Sequence, residues 1–151
     1  MSVYLEDLRP GCEYRSATRV VTAADIAAFA ALSGDFSPLH TDDDWVLAYT
    51  PFPGKIAHGA LVFGCSQGLR TPVVHDIAVI AFLAFERSLV GPVFPGDTIT
   101  ARWTVAETRP SRSDPSRGVT RLTCEVVNQD GAVVQRGFDT YLVAARPRVS
   151  R

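Results

Sequence analysis

Between His58 and Arg70 the chain reads His-Gly-Ala-Leu-Val-Phe-Gly-Cys-Ser-Gln-Gly-Leu-Arg. The spacing predicts a helix, yet its apolar residues make no stripe: Ala60, Leu61, Val62, Phe63, Cys65 and Leu69 cover every face. A helix that is apolar all round has to be enclosed by protein. Gly59, Gly64 and Gly68 each weaken it as an isolated helix by roughly 1 kcal/mol relative to Ala, so they suit places where another backbone comes close. The rest of the chain must therefore supply a surface that wraps this segment.

The second half supplies strands. Ile77–Phe85 is a continuous apolar run, suited to a strand covered on both faces. In Thr98–Glu107 the alternation is clear, with Ile99, Ala101, Trp103 and Val105 on one side. Val119–Val127 and Ala132–Ala144 are joined by Asn128-Gln-Asp-Gly131, whose Asp-Gly step favours a tight hairpin. Residues 109–118 read as an exposed, mobile connection, and 145–151 as a frayed tail. The first half is helical after a short strand at 13–21. Thr22 caps an Ala-rich helix with Asp25 three residues on, and Ser33-Gly34 stops it. Thr41 opens a second short helix with Asp42, Asp43 and Asp44 in its first turn, and the Pro-rich stretch 50–54 ends it. The expected fold is an α+β domain spanning 1–151, an antiparallel sheet curled around the enclosed helix.

Composition narrows the function. At 151 residues the chain is long enough for one core, and 15 basic against 16 acidic side chains leave no field for duplex DNA or an anionic membrane. Three scattered cysteines, Cys12, Cys65 and Cys124, lack paired spacing and read as reduced thiols of a cytoplasmic protein. The acidic N-terminus lacks the marks of a secretory leader, and no run approaches the ~20 apolar residues of a membrane span.

The chemistry concentrates in Leu32-Ser-Gly-Asp35-Phe-Ser-Pro-Leu-His40-Thr. Pro38 stiffens this connection, and a carboxylate and an imidazole five residues apart can converge on one water near neutral pH. The plain alternative, an Asx-turn at Asp35 and a solvated His40, fits the spacing equally well. In Gly54-Lys-Ile-Ala-His58-Gly59, the free N–H groups of a helix start can hold an oxyanion, and glycine admits a carbonyl closely. From these residues alone, helix–strand packing explains Gly59 more simply, and His58 reads as a hydrogen-bonded structural histidine. His75 reads as exposed, and the Asp42–Asp44 run as a solvated first turn rather than a metal site. Arg109, Arg112 and Arg117 read as solvated, with a phosphate contact as the lesser alternative. No nucleophile elbow, phosphate loop, dinucleotide fingerprint or paired-histidine zinc motif occurs.

The stretches 29–42 and Ile56-Ala-His-Gly59 together resemble the hydratase motif of the MaoC-like, R-specific enoyl-CoA hydratase family, as do 91–99 and 127–131. The likeness runs from about residue 12 to 144. It implies a hot-dog fold, a homodimer joined sheet to sheet or a larger homo-oligomer, and no cofactor or metal. The implied reaction is hydration of a trans-2-enoyl thioester of CoA or acyl carrier protein to the (R)-3-hydroxyacyl thioester, or the reverse. Asp35 and His40 would be the acid–base pair and the Gly59 N–H the oxyanion donor, with Ser37, Ile56, Ala57, His58 and Gln67 lining the substrate. Two departures stand out: Ser37 replaces the usual Asn, and Gln67 falls near where some relatives carry a small serine. The stretches 78–87 and 92–99 are closer to relatives that act on branched or dicarboxylic acyl groups. A hot-dog thioesterase and a non-catalytic acyl-binding subunit are the rival readings.

Overall fold

The Thr22–Asp25 cap forms as its spacing suggests. In the computed structural model, which describes residues 2–69 and 72–147, the Asp25 N–H donates to Thr22 Oγ1 (3.0 Å) and the Thr22 N–H to Asp25 Oδ2 (2.9 Å). The helix α1 (Ala23–Ser33) that they open closes at Gly34, whose φ of +79° only glycine adopts cheaply. The expected single helix from Thr41 is instead two pieces, α2 (Pro38–Thr41) and α3 (Asp43–Tyr49). Pro38 can start a helical turn because its missing N–H would be unpaired there anyway. Asp42, rather than Thr41, caps α3 by accepting from the Trp45 N–H.

The enclosed helix is α4 (Gly59–Gly68), and a short α5 (Pro72–Asp76) follows; the expected helix end at Arg70 lies outside the described residues. Five antiparallel strands, β1 (Glu13–Val20), β2 (Val79–Leu89), β3 (Thr98–Pro110), β4 (Arg117–Val127) and β5 (Val133–Ala144), make one sheet in the order β1-β3-β4-β5-β2. Ile99, Ala101, Trp103 and Val105 of β3 all turn inward and are buried, as their alternation requires. They meet Leu122, Cys124 and Val126 of β4 and Leu61 and Val62 of α4 in a common core. The α+β architecture read from the sequence is thus the observed one.

Three expectations change. Residues 79–89 form an edge strand, not one covered on both faces: Ile80, Leu83, Phe85 and Leu89 are all more than half exposed. The apolar run is there because this chain alone does not complete its surroundings. For the same reason α4 is not enclosed all round; Ala60, Gly64 and Gly68 are exposed, and no atom comes close to Gly64 or Gly68. The supposed mobile connection at 109–118 is a tight turn in which Asp114 accepts from Ser116 and the Ser111 N–H donates to Arg117 O. Ala145 and Arg146 are hydrogen-bonded to Ser116 and Glu6, so they do not fray; 148–151 of the expected tail lie outside the described residues. Strand β2 also carries two register shifts, at Val79/Ala81 and Phe82/Ala84.

The cap supplies a test. Thr22→Ala should lower stability by about 1 kcal/mol, seen as a reduced urea midpoint with unchanged slope. The Thr22 backbone N–H holds the Asp25 carboxyl below its ordinary value. Its stabilisation is therefore present above that ordinary value and lost as pH falls through the lower native one, so Asp25→Asn should matter progressively less in acid.

Candidate active site

Asp35 and His40 sit at either end of a turn that the chain ties back on itself. The Ser37 N–H donates to Asp35 Oδ1 (3.1 Å), so the Asx-turn does form. The His40 N–H donates to Ser37 O at 2.9 Å as α2 begins. This turn is joined to the segment ahead of α4 by two bonds. The Ile56 N–H donates to Leu39 O (3.2 Å), and His40 Nδ1 lies 2.8 Å from Ile56 O. A carbonyl only accepts, so Nδ1 carries the hydrogen and Nε2 keeps its lone pair.

His58 locks the same corner from beneath. It is buried, and its Nε2 lies 2.9 Å from the Asp35 carbonyl, which makes that nitrogen the donor. Its ring stacks on His40 at 3.8 Å, with Phe29 at 4.9 Å. The structural role expected of His58 is therefore observed: it fixes the backbone of one member of the pair and the ring plane of the other. Ala57, buried, donates its N–H to Val93 O at 2.7 Å and holds the segment to the β2–β3 connection.

Gly59 is the first residue of α4, where N–H groups have no partner within the helix and the dipole is positive. Gln135, buried on β5, donates to the Gly59 carbonyl at 2.7 Å and so sets the tilt of this first turn. A side chain at 59 would collide with the Leu89 methyls, which explains the glycine by packing as well as by carbonyl access.

Asp35, His40 and His58 each place one potential metal-binding atom within 4.8 Å of the others. The stacking argues against a shared ion. With ring planes only 28° apart, the two imidazoles send their lone pairs along nearly parallel lines, which do not meet at the 2.0–2.1 Å of a metal–nitrogen bond. A water suits the spacing better: two bonds of about 2.8 Å meeting near the tetrahedral angle span about 4.6 Å.

Other residues fall elsewhere. Ser37 lies within the turn, half-buried, where its carbonyl accepts from Thr41 Oγ1. Gln67, expected to line the substrate beside the pair, is drawn into a different cluster. Asp139 is fully buried and meets Arg87 Nη2 at 2.7 Å; Gln67 Nε2 (2.9 Å) and Trp103 Nε1 (3.3 Å) donate to its other oxygen. The Tyr141 hydroxyl donates to Gln67 Oε1 at 3.0 Å, and burial, with the Asp139 charge second, pushes that phenol above its ordinary range. Sequence reading missed this cluster and Gln135, because the residues lie 16 to 72 positions apart and only strand alternation could have put them on the helix-facing side. Asp43 accepts from the Lys55 N–H (2.8 Å), which holds its carboxyl low and tethers the 50–55 loop, so it is no metal ligand in waiting. Arg109 and Arg117 pair with Glu107 and Asp114, while Arg112 and His75 are exposed. None of the three cysteines is in a disulfide; burial pushes the Cys124 thiol up to about 12, which leaves it unreactive.

With this geometry in place, comparison with known proteins is informative. Residues 7–128 match the model of the MaoC like domain. The chain belongs to the MaoC-like family. It is 37% identical over 147 residues to an (R)-specific enoyl-CoA hydratase of Rhodospirillum rubrum, covering 95% of this chain and 93% of that one. It superposes on the crystal structure of a MaoC-like dehydratase from the same organism with a TM-score of 0.83, at 32% identity, over 97% of this chain and all of the other. A Mycobacterium tuberculosis protein described as a double hot-dog fold matches at TM-score 0.82 and 24% identity, over 99% of this chain and 46% of its own length, which supports the fold alone. The MaoC-like chain thus has the hot-dog architecture, α4 being the helix against which the sheet packs.

The buried pair gives a second test. Arg87→Met strands the Asp139 charge and should cost about 3–5 kcal/mol in urea unfolding at fixed protein concentration. Adding Asp139→Asn should recover part of that, since a neutral amide oxygen still accepts from Gln67 and Trp103 without leaving a lone charge.

Proposed function

We propose that this chain is an (R)-specific hydratase, adding water across a trans-2-enoyl thioester or removing it from the (R)-3-hydroxyacyl product. The observation that carries the reading is the set of three groups at one corner: the Asp35 carboxylate, the His40 Nε2 lone pair and the N–H groups that open α4 at Gly59. The relatives named (R)-specific enoyl-CoA hydratase support it.

The chemistry follows from what each group can do. The thioester carbonyl docks on the Gly59 N–H, where the helix dipole favours the negative charge that builds on oxygen as C3 is attacked. A water lies between Asp35 and His40, donating one hydrogen to each. His40 Nε2 takes a proton as the oxygen bonds to C3, and the Ile56 carbonyl steadies the resulting imidazolium through Nδ1–H. The dyad returns one proton to C2 from the same side, so the sum is H and OH across the double bond. His58 and Gln135 are positioning residues for the dyad and for the oxyanion donor.

The protein acts as a homodimer in the cytoplasm, on thioesters of CoA or acyl carrier protein. The half-exposed Ile80 and Leu83 on the open edge of β2 and the bare Ala60–Gly64–Gly68 side of α4 support a second copy as the missing cover. No described helix is long and apolar enough to cross a membrane.

Asp35→Asn and His40→Ala should each reduce crotonyl-CoA hydration by about 10³-fold with an unchanged circular dichroism spectrum. Chiral analysis should find the (R)-product. Full activity in either variant overturns the assignment, and release of free thiol would mark ester cleavage instead. Sedimentation should give twice the 16.4 kDa chain mass; a monomer at micromolar concentration would contradict the dimer.

A further inference from the structure

The side of α4 that carries Gly59, Phe63 and Gln67 runs along β2 and β5, and each of these residues meets a known partner there. Leu89 stands against Gly59. One turn further, Phe63 stacks on Phe85 at 4.4 Å, with the Arg87 guanidinium 5.1 Å from its ring. One turn beyond that, Gln67 joins the Asp139 cluster, where Phe82 stacks on Tyr141 at 4.8 Å. Phe82, Phe85 and Leu89 thus face the helix, yet they are 43%, 55% and 63% exposed. Side chains that point inward and remain wet mark a groove the chain itself does not fill. That groove begins at the N–H where the thioester carbonyl is placed by the reading above, on which this inference rests.

We infer that the groove takes the acyl chain and that the Phe63–Phe85 stack closes it, restricting the enzyme to short enoyl thioesters of about four to six carbons. The length follows from the helix. Phe63 lies four residues from Gly59, about 6 Å along the axis. An extended hydrocarbon advances about 1.25 Å per bond, given a C–C length near 1.5 Å and an angle near 111°. About five bonds therefore reach the stack. The region behind it offers no further apolar room. Arg87 is held by Asp139 Oδ1 and by the Glu86 and Phe138 carbonyls, and Gln67 and Trp103 hold the other Asp139 oxygen. A longer tail would have to displace two rings and then lie against a buried ion pair. Because that pair already balances its own charge, a terminal carboxylate on the substrate would add an uncompensated charge and is disfavoured too.

The test is a chain-length series in two assays. Hydration of crotonyl-, hexenoyl- and decenoyl-CoA is compared by kcat/KM, and binding of the unreactive butyryl-, hexanoyl- and decanoyl-CoA by calorimetry. In an open groove each added methylene tightens binding roughly fourfold. The wild-type protein should lose that gain beyond six carbons, and its kcat/KM should fall at least about tenfold from hexenoyl to decenoyl, the scale of a site that rejects surplus methylenes. Phe63→Ala should move the C10/C4 ratio upward by about tenfold or more in both assays. Phe85→Ala, at an exposed position, should do the same even if Phe63→Ala fails to fold. Undiminished turnover and tightening to C10 in the wild-type protein overturns the inference. So does a ratio that neither variant moves, or a Phe85→Ala variant that weakens the dimer while the acyl series stays flat, which would give the groove to a second copy. A protein that hydrates nothing but keeps the binding ceiling would refute the hydratase reading and leave this inference standing.

Discussion

Two hydrogen bonds between imidazole rings and backbone carbonyls hold this site together. His40 donates to Ile56 O and His58 to the Asp35 carbonyl, so each of the two sequence-distant segments grips the other. Neither bond has to be strong. Their effect is geometric: they fix both tautomers, stack the rings, and place a carboxylate and a basic nitrogen beside the start of α4. Outer partners that orient a working imidazole commonly matter nearly as much as the imidazole itself. The choice of carbonyls rather than carboxylates as those partners leaves Asp35 as the acid nearest the rings.

The sheet contributes by holding the helix from below. Gln135 and Asp139 are polar residues on an otherwise apolar inner face, and each reaches up to α4, at Gly59 O and Gln67. Polar groups in such a place cost stability unless they are satisfied. Here they set the axial position of the helix, and with it the direction of its first N–H groups. An apolar face would grip α4 as tightly but would let it slide.

Much of the architecture was legible in the sequence because the signals were local. Thr22-x-x-Asp25, Ser33-Gly34, the alternation from Ile99 to Val105 and the Asp130-Gly131 turn each depend on near neighbours only. The Asp35–His40 turn was legible as well, since Pro38 constrains it from within. What escaped were relations between distant segments: Gln135 to Gly59, Arg87 to Asp139, Gln67 to both Asp139 and Tyr141. The apolar run at 77–85 misled for a related reason. Its composition reports that a surface is covered in the working protein, and is silent about whether the cover comes from the same chain. The departures at Ser37 and Gln67 show the two kinds of case: Ser37 stays in the turn its neighbours dictate, whereas Gln67 follows a partner 72 residues away.

The two bulges in β2 bear on more than local shape. An open edge is a template for any extended segment that meets it, and newly made chains carry many such segments. A strand that kinks twice offers its free N–H and C=O groups in an uneven row, at changing angles, so a straight peptide can satisfy only a few in succession. A strand with the same two kinks, running the opposite way, can satisfy more of them. The irregularity would then serve as a key cut into the backbone itself, admitting the chain's own twin and turning away strangers.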